Sequence, residues 1–453
     1  MPTKPTIKTL TNSSVDILNV IRENGTQNYK DYVPKATKNA DDIKKIGAII
    51  MDYPALQNEF LSALVNRIGR VILTSKLYDN PWAFFKKGML DFGEVVEEIF
   101  VNIAKVHTFD PEVAEKEVFK REIPDVKSAF HIMNYQKFYK ATISNDQLRQ
   151  AFLSWSGVYD LIAKIVDAMY TGANYDEFLV MKYMLARAVL DGRLYPVTVP
   201  TITTENMTKV VSKIKGVSND MTFLKSKYNI AGVKTHTPKD RQYLIVNGDF
   251  EAEMNVEVLA SAFNMNKAEF AGHMVLVDSF GELDTERLKE IFYGDNTYVE
   301  INSDELEALN KIPGIMVDED FFMIFDNYEN FTEQYNGEGL YWQYWYHVWK
   351  TFSMSPFANN ALLIPGTPTV TSVTINPSTA TVSKGQSVQL EANVTTTDFA
   401  PKTVNWTSSS ENTVVDNSGK VTVLSTETLK SVTITATSTF DPSKTGEATI
   451  TVG

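Results

Sequence analysis

The stretch Ile364-Pro365-Gly366-Thr367-Pro368 is where this chain of 453 residues changes chemical character. Two prolines flanking a glycine suit neither a helix nor a central strand, so the run marks a join. After it, residues 366–453 are rich in Ser, Thr and Val and hold no Met, His, Arg or Cys. Before it lies a longer, acidic sequence rich in Met and large aromatics. A small module has been attached to a large body, with 365–368 as the linker.

Downstream of the join, short alternating segments recur: 370–375, 387–390, 403–406, 419–423, 431–436 and 447–452. Turn residues separate them, among them Asn376-Pro377, Lys384-Gly385 and Asn417-Ser418-Gly419. That rhythm predicts an all-β sandwich over 369–453, with Trp406 as the inward aromatic.

Upstream, the composition sets limits. With 43% hydrophobic residues the chain can bury sizeable cores. The net charge is −13; the terminal segment carries five Lys and seven Asp or Glu, so the body holds −11. Such a balance argues against holding nucleic acid by phosphate neutralisation. Cysteine is absent, which excludes disulfides, thiolate zinc sites and a cysteine nucleophile. The start, Met1-Pro2-Thr3-Lys4-Pro5, lacks the apolar core of a secretory signal, and no apolar run is long enough to span a bilayer. The expected compartment is the cytoplasm in which the chain is made, with no membrane partner.

Residues 12–24 read as a helix, and 41–70 as one or two more, with Ile46, Ile49, Leu56, Phe60, Leu64 and Ile68 at roughly helical spacing. From 77 to 143 the pattern turns extended, with pieces at 95–106, 117–123 and 129–139, and predicts a long excursion best stabilised by lying on a neighbour. Ser144-Asn145-Asp146-Gln147 fits a capping box and opens the strongest helical pattern: Leu148, Phe152, Trp155, Tyr159, Ile162, Val166 and Met169. Gly172 is expected to end it, and Asn174-Tyr175-Asp176-Glu177 to cap a second helix to about Leu190. Residues 197–365 read as mixed strands (242–247, 273–278, 321–326, 341–352) and helices (204–216, 256–264, 304–310).

Catalytic patterns are missing. No P-loop, HExxH or GxSxG occurs, Gly337-Glu338-Gly339 lacks a third glycine, and the five histidines stand apart. Asp318-Glu319-Asp320 stands before a strand and reads as a turn with exposed acids; a glycosidase carboxylate or calcium site is the competing reading. In Tyr341 to Trp349, Trp342, Tyr344, Tyr346 and Val348 share one face while Trp345, His347 and Trp349 share the other. That predicts a central strand covered on both sides, rather than a sugar-binding platform.

Several blocks resemble one family. Phe84-Phe85-Lys86-Lys87-Gly88 with Val96-Glu97-Glu98-Ile99-Phe100, the run Val118 to Lys127, Val258 to Asn266, and Gly339 through Trp349 to Asn359 resemble, in order, the major capsid protein of phi-29-like small short-tailed phages. The likeness runs from about Tyr32 to Asn359, and residues 280–312 stand outside the family's pattern. Val373 to Pro377, Lys384-Gly385-Gln386, Val404 to Ser408 and Gly419 to Thr422 resemble the bacterial Ig-like module of the Big-2 type.

The resemblance implies an α+β body of the Hong Kong 97 tailed-phage capsid type. Its parts would be an N-terminal arm and helices (1–76), an extended loop (77–143), a peripheral domain with a spine helix (144–196) and an axial domain with return strands (197–364). It implies a structural protein, not an enzyme, without cofactor or metal. Self-assembly as pentamers and hexamers would give an icosahedral or elongated virion shell enclosing double-stranded DNA without specific binding, with a scaffolding protein and a portal as assembly partners. Lys86, Lys87, Lys120 and Arg121 are the candidate intersubunit contacts, expected to pair with acids of a neighbour. The Ig-like module is expected to decorate the exterior, with weak binding to host-surface carbohydrate. Two other readings remain open: an exported surface or adhesive protein with an Ig-like tip, and a carbohydrate-active enzyme built on Asp318 or Asp320.

Overall fold

The computed structural model describes residues 14–60, 63, 78–90, 95–108, 124–153, 157–201, 203, 205–248, 250 and 273–453. The chain forms two compact units, each assembled from separated stretches. The first takes residues before Val95 with Ile132–Phe178 and Ile324–Phe352; the second takes Val95–His131, Leu179–Met323 and Ser353–Gly453.

In the first unit, helices Ser14–Asn24 and Ala40–Asp52 lie where helical spacing placed them, with a short helix Gln27–Tyr32 between and a further helical run at 54–60. Ile43, Ile46, Ile50, Leu56 and Phe60 are buried, and the Phe60 ring lies 5.4 Å from that of Phe152. Ile49 is only half-buried, and Leu64 and Ile68 fall outside the described residues.

The Ser144 capping box forms as expected: the Ser144 Oγ accepts from Gln147 N while the Gln147 side chain accepts from Ser144 N. It opens a helix of only seven residues, Asn145–Ala151, ending at a turn at 152–153; Trp155 lies outside the described residues. The following helix, Gly157–Leu190, runs 34 residues without a break, roughly 51 Å at 1.5 Å per residue. The expected stop at Gly172 and cap at Asn174 are therefore corrected. A glycine inside a helix costs about 1 kcal/mol, which packing readily offsets. The polar residues read as a cap are used by neighbours instead: Asn174 Nδ2 donates to Tyr78 O at 2.8 Å, and Asp176 accepts from Tyr139 Oη at 2.8 Å.

A four-stranded sheet completes this unit, in the order Lys86–Met89, Phe322–Asn336, Tyr341–Met354, Tyr135–Ser144. Tyr341–Met354 is central, and Trp342, Tyr344, Tyr346 and Val348 are buried as one face. The other face, with Trp345, His347 and Trp349, is only half-covered, and its neighbour Phe138 is 58% exposed. The expected cover on both sides is thus present on one. Residues 129–139 divide: Val126–His131 belongs to a hairpin of the second unit, whereas Tyr135–Ser144 pairs antiparallel with Tyr341–Lys350.

In the second unit, a five-stranded sheet has the order Pro196–Thr198, Asn360–Ile364, Gly314–Asp318, Gln242–Asn247, Met274–Val277. Helix Met207–Met221 lays Val210, Val211, Ile214, Val217 and Met221 on Leu244, Val246, Met316, Ala361 and Leu363. Gly314–Asp318 and Asn360–Ile364 are buried throughout. They lack the period-two signal by which half-buried strands are recognised. The helix expected at 256–264 lies outside the described residues. Residues 280–312 form helices Thr285–Ile291 and Ser303–Asn310, and the Tyr183 ring of the long helix lies tilted 5.5 Å from Phe292 and 5.4 Å from Tyr298.

The terminal region is all-β, as expected. To the six strands read from sequence the structure adds Thr379–Val382, Glu391–Thr397 and Thr413–Val415. Val370, Val373, Leu390, Val421, Ile434 and Ile450 form its core, and Trp406 packs at the border rather than at the centre. Glu427 is buried and accepts from Ser410 Oγ (2.6 Å), Thr413 Oγ1 (2.7 Å), Thr428 N and Leu429 N (both 2.9 Å). These donors, Ser410 first, hold its carboxyl down at about 2. A carboxyl lowered in the folded state stabilises above its ordinary titration range and loses that contribution as pH falls through it. Glu427→Gln should therefore lower the melting temperature of this region at pH 7 and flatten its acid sensitivity between pH 5 and 2, read by thermal scans across pH; unchanged melting at pH 7 would contradict this.

Candidate assembly residues and a buried charge cluster

Strand Lys86–Met89 runs parallel to Phe322–Asn336, pairing Lys86 with Ile324. Its first residue points inward: Lys86 Nζ lies 2.6 Å from Asp326 and 3.2 Å from Glu177. Lys350, in phase with Tyr344, Tyr346 and Val348 on the buried face, contacts the same two carboxylates, Asp326 at 2.6 Å. Asn80 Nδ2 donates to Glu177 Oε1 at 2.6 Å, and Glu329 stands 3.7 Å from Lys350 at the rim. Two ammonium groups and two carboxylates thus close a ring joining the long helix, two central strands and the strand at 86–89.

Burial pushes Glu177 and Asp326 up, but Lys350 and Lys86 more than offset this and hold both carboxyls below the usual range. Burial acts to lower Lys350, and the same carboxylates raise it further than burial lowers it. Glu177, Asp326 and Lys350 are therefore all held in their charged forms.

Of the four candidate contacts, Lys86 is thus engaged within its own chain. Lys87 is half-buried, in a strand whose register with Phe322–Asn336 shifts between Lys86 and Met89. Lys120 and Arg121 fall outside the described residues. Sequence reasoning missed the ring because Glu177 resembled a helix cap. A signal was there: Lys350 continues the inward phase of Trp342 to Val348.

Asp318 does not sit in a turn of exposed acids. It is buried, accepts from Thr237 Oγ1 at 2.5 Å and from Asp320 N at 2.9 Å, and Arg241 pairs with Glu319 at 3.2 Å and with Asp320. These acids are occupied by their own chain, and among the described residues no group of three His, Cys, Asp or Glu is placed to hold a metal.

In the second unit, Val96–Val101 and Val126–His131 form an antiparallel hairpin, Val96 opposite His131 and Val101 opposite Val126. One face is anchored. Phe100 stacks on Phe357 (5.6 Å), Lys127 Nζ donates to Ala231 O (2.7 Å), Glu98 accepts from Ser355 Oγ (2.7 Å), and buried His131 lies 2.7 Å from Ser353 Oγ. The opposite face carries Ile99, Val101, Val126 and Phe130, between 53% and 60% exposed. A two-stranded ribbon with such a bare apolar face is poorly satisfied alone.

The model of the Phi29-like phage major capsid protein family matches residues 18–364, and that of the bacterial Ig-like domain (group 2) matches 369–452. The major capsid protein of Bacillus phage B103 is 37% identical over 432 residues, 94% of this chain and 90% of its own. That of Bacillus phage PZA is 35% identical over 421 residues, 91% and 88%. Among solved structures, the capsid of Staphylococcus phage Andhra, 17% identical, overlaps 65% of this chain and 86% of that one with a TM-score of 0.49.

Proposed function

The chain belongs to the Phi29-like phage major capsid protein family, with a group 2 Ig-like domain after it, and from that premise we propose that it assembles with copies of itself, as pentamers and hexamers, into an icosahedral or elongated head around double-stranded DNA. Its role is that of a structural protein of the virion. The observation that carries the assembly reading is the hairpin 96–101/126–131, whose inner face is pinned within its chain while Ile99, Val101, Val126 and Phe130 face outward.

A neighbouring copy is the partner that recurs at every position of a closed shell, and many modest interfaces repeated by symmetry need no single strong contact. Lys87, with Lys120 and Arg121, supplies charge complementary to the acidic neighbour; Lys86 stabilises its own subunit. The body's −11 fits an interior that encloses DNA without gripping phosphates. Assembly takes place in the host cytoplasm with a scaffolding protein and a portal, no catalysis is involved, and the Ig-like domain decorates the exterior with a weak affinity for host-surface carbohydrate.

Ile99→Asp combined with Phe130→Asp tests this. The expected result is a soluble, folded chain by circular dichroism that forms no shells in electron micrographs when expressed with its assembly partners. Shells at wild-type yield would overturn the role of the hairpin.

A further inference from the structure

Between the Ig-like domain and the body loops at 192–195 and 226–232 lies a cleft of about 1470 Å³, all of it within the second unit. Two contacts join its walls. Lys402 Nζ of the Ig-like domain donates to Leu190 O, at the end of the long helix, at 3.0 Å, and the rings of Tyr195 and Phe440 lie 6.3 Å apart.

Its charge is opposite to that of the chain. Among the described residues, Lys127, Arg193, Lys227 and Lys402 line it against one carboxylate, Glu391, in a protein of net charge −13. Lys127 and Lys402 donate to backbone carbonyls, which satisfy a hydrogen bond without neutralising the ammonium. Lys227 pairs with Asp220 at 2.7 Å, while Arg193 is 58% exposed with Asp191 only at 3.9 Å. A concave wall of one sign focuses its field on an incoming counter-charge.

Size and lining narrow the ligand. The volume exceeds the roughly 300–1,000 Å³ of small-molecule pockets and suits a segment of a polymer. Lys227 Nζ lies over the rings of Tyr195 and Tyr228, 5.6 and 4.7 Å from their centroids, and Trp406 packs against the Ig-like core, so these rings are already engaged and are not laid out as a platform on which nucleic-acid bases stack. Exposed Asn405, Asn417 and Ser418 offer hydrogen bonds to hydroxyls instead.

We propose that this cleft binds a segment of an anionic polysaccharide, its acid groups held by Arg193, Lys227, Lys127 and Lys402. The proposal rests on the reading that the Ig-like domain has an affinity for carbohydrate, and supplies the site and the charge class.

The test titrates the full chain with labelled hyaluronate, with neutral dextran and with a single-stranded DNA oligomer, at 50 and 200 mM salt. Hyaluronate should bind, more weakly at the higher salt, and Arg193→Ala should weaken it by about threefold and Arg193→Ala with Lys227→Ala by roughly tenfold. Lys384→Ala, an exposed lysine of the same domain outside the cleft, should leave binding unchanged. Hyaluronate binding indifferent to both cleft variants would overturn the site while leaving the carbohydrate reading in place. Dextran bound without hyaluronate would overturn the charge class; no glycan bound would remove both readings. Tighter DNA than glycan would overturn the polysaccharide assignment.

Discussion

Lys350→Met should destabilise the first unit by about 3–5 kcal/mol, because it leaves Glu177 and Asp326 buried with half their compensating charge. The loss is read from the denaturant midpoint of the full chain. Methionine fills the volume of the lysine stem, so the effect isolates the charge. Removing the acids as well, in Lys350→Met with Glu177→Gln and Asp326→Asn, should recover much of it, since a balanced buried ring replaced by neutral groups is often near neutral in stability. The ring also sets a pH dependence. Both carboxyls are held below their usual range when folded, so their contribution is present above about pH 4 and is lost as pH falls through that range. Acid unfolding should accordingly be less steep in the triple variant. A single Lys350→Met variant with wild-type stability would show that the ring contributes nothing.

Gly192→Val should unseat the Ig-like domain. Gly192 closes the long helix with a left-handed turn, φ +66°: Gly192 N donates to Val189 O and Arg193 N to Ala188 O, so the last carbonyls are satisfied. A Cβ built there would lie 2.8 Å from Ala400 O, 3.1 Å from Lys402 N and 3.2 Å from Pro401 Cα, all backbone atoms of the Ig-like domain. A branched side chain adds the left-handed strain to that overlap, about 3 kcal/mol or more in total. The expected readout is rapid proteolysis within 365–368 in the variant, while the melting of the Ig-like domain itself is unchanged. Gly192→Asn separates the causes, since asparagine accepts the left-handed turn but still meets Ala400 O. An uncut linker in both variants would show that the seat does not depend on this approach.

Much of the chain's organisation was legible because its signals are local. The linker at 365–368 falls between the two family matches, residues 18–364 and 369–452. The Ser144 capping box, the inward phase of Trp342 to Val348 and six terminal strands were readable from spacing alone. The colinear blocks led to the capsid family and its α+β fold. Where reading failed, the deciding interaction was distant in sequence. Gly172 and Asn174-Tyr175-Asp176-Glu177 look like a helix boundary until Tyr78 is brought to Asn174, Tyr139 to Asp176, and Lys86 and Lys350 to Glu177. Gly314–Asp318 and Asn360–Ile364 are covered on both faces, so they carry no alternation to read.

Lys86 shows the same limit in the candidate site. Beside Lys87 it looked like half of a basic surface pair; only the parallel pairing of its strand with Phe322–Asn336 turns it inward to Asp326. The sequence by itself determined the family, the all-β character of the terminal region and the acidic balance, because hydrophobic period, turn residues and charge are properties of neighbouring positions. The tertiary structure alone decided which charges are buried together, which hairpin face is left bare and where the Ig-like domain sits, because each depends on groups brought together from far apart in the chain.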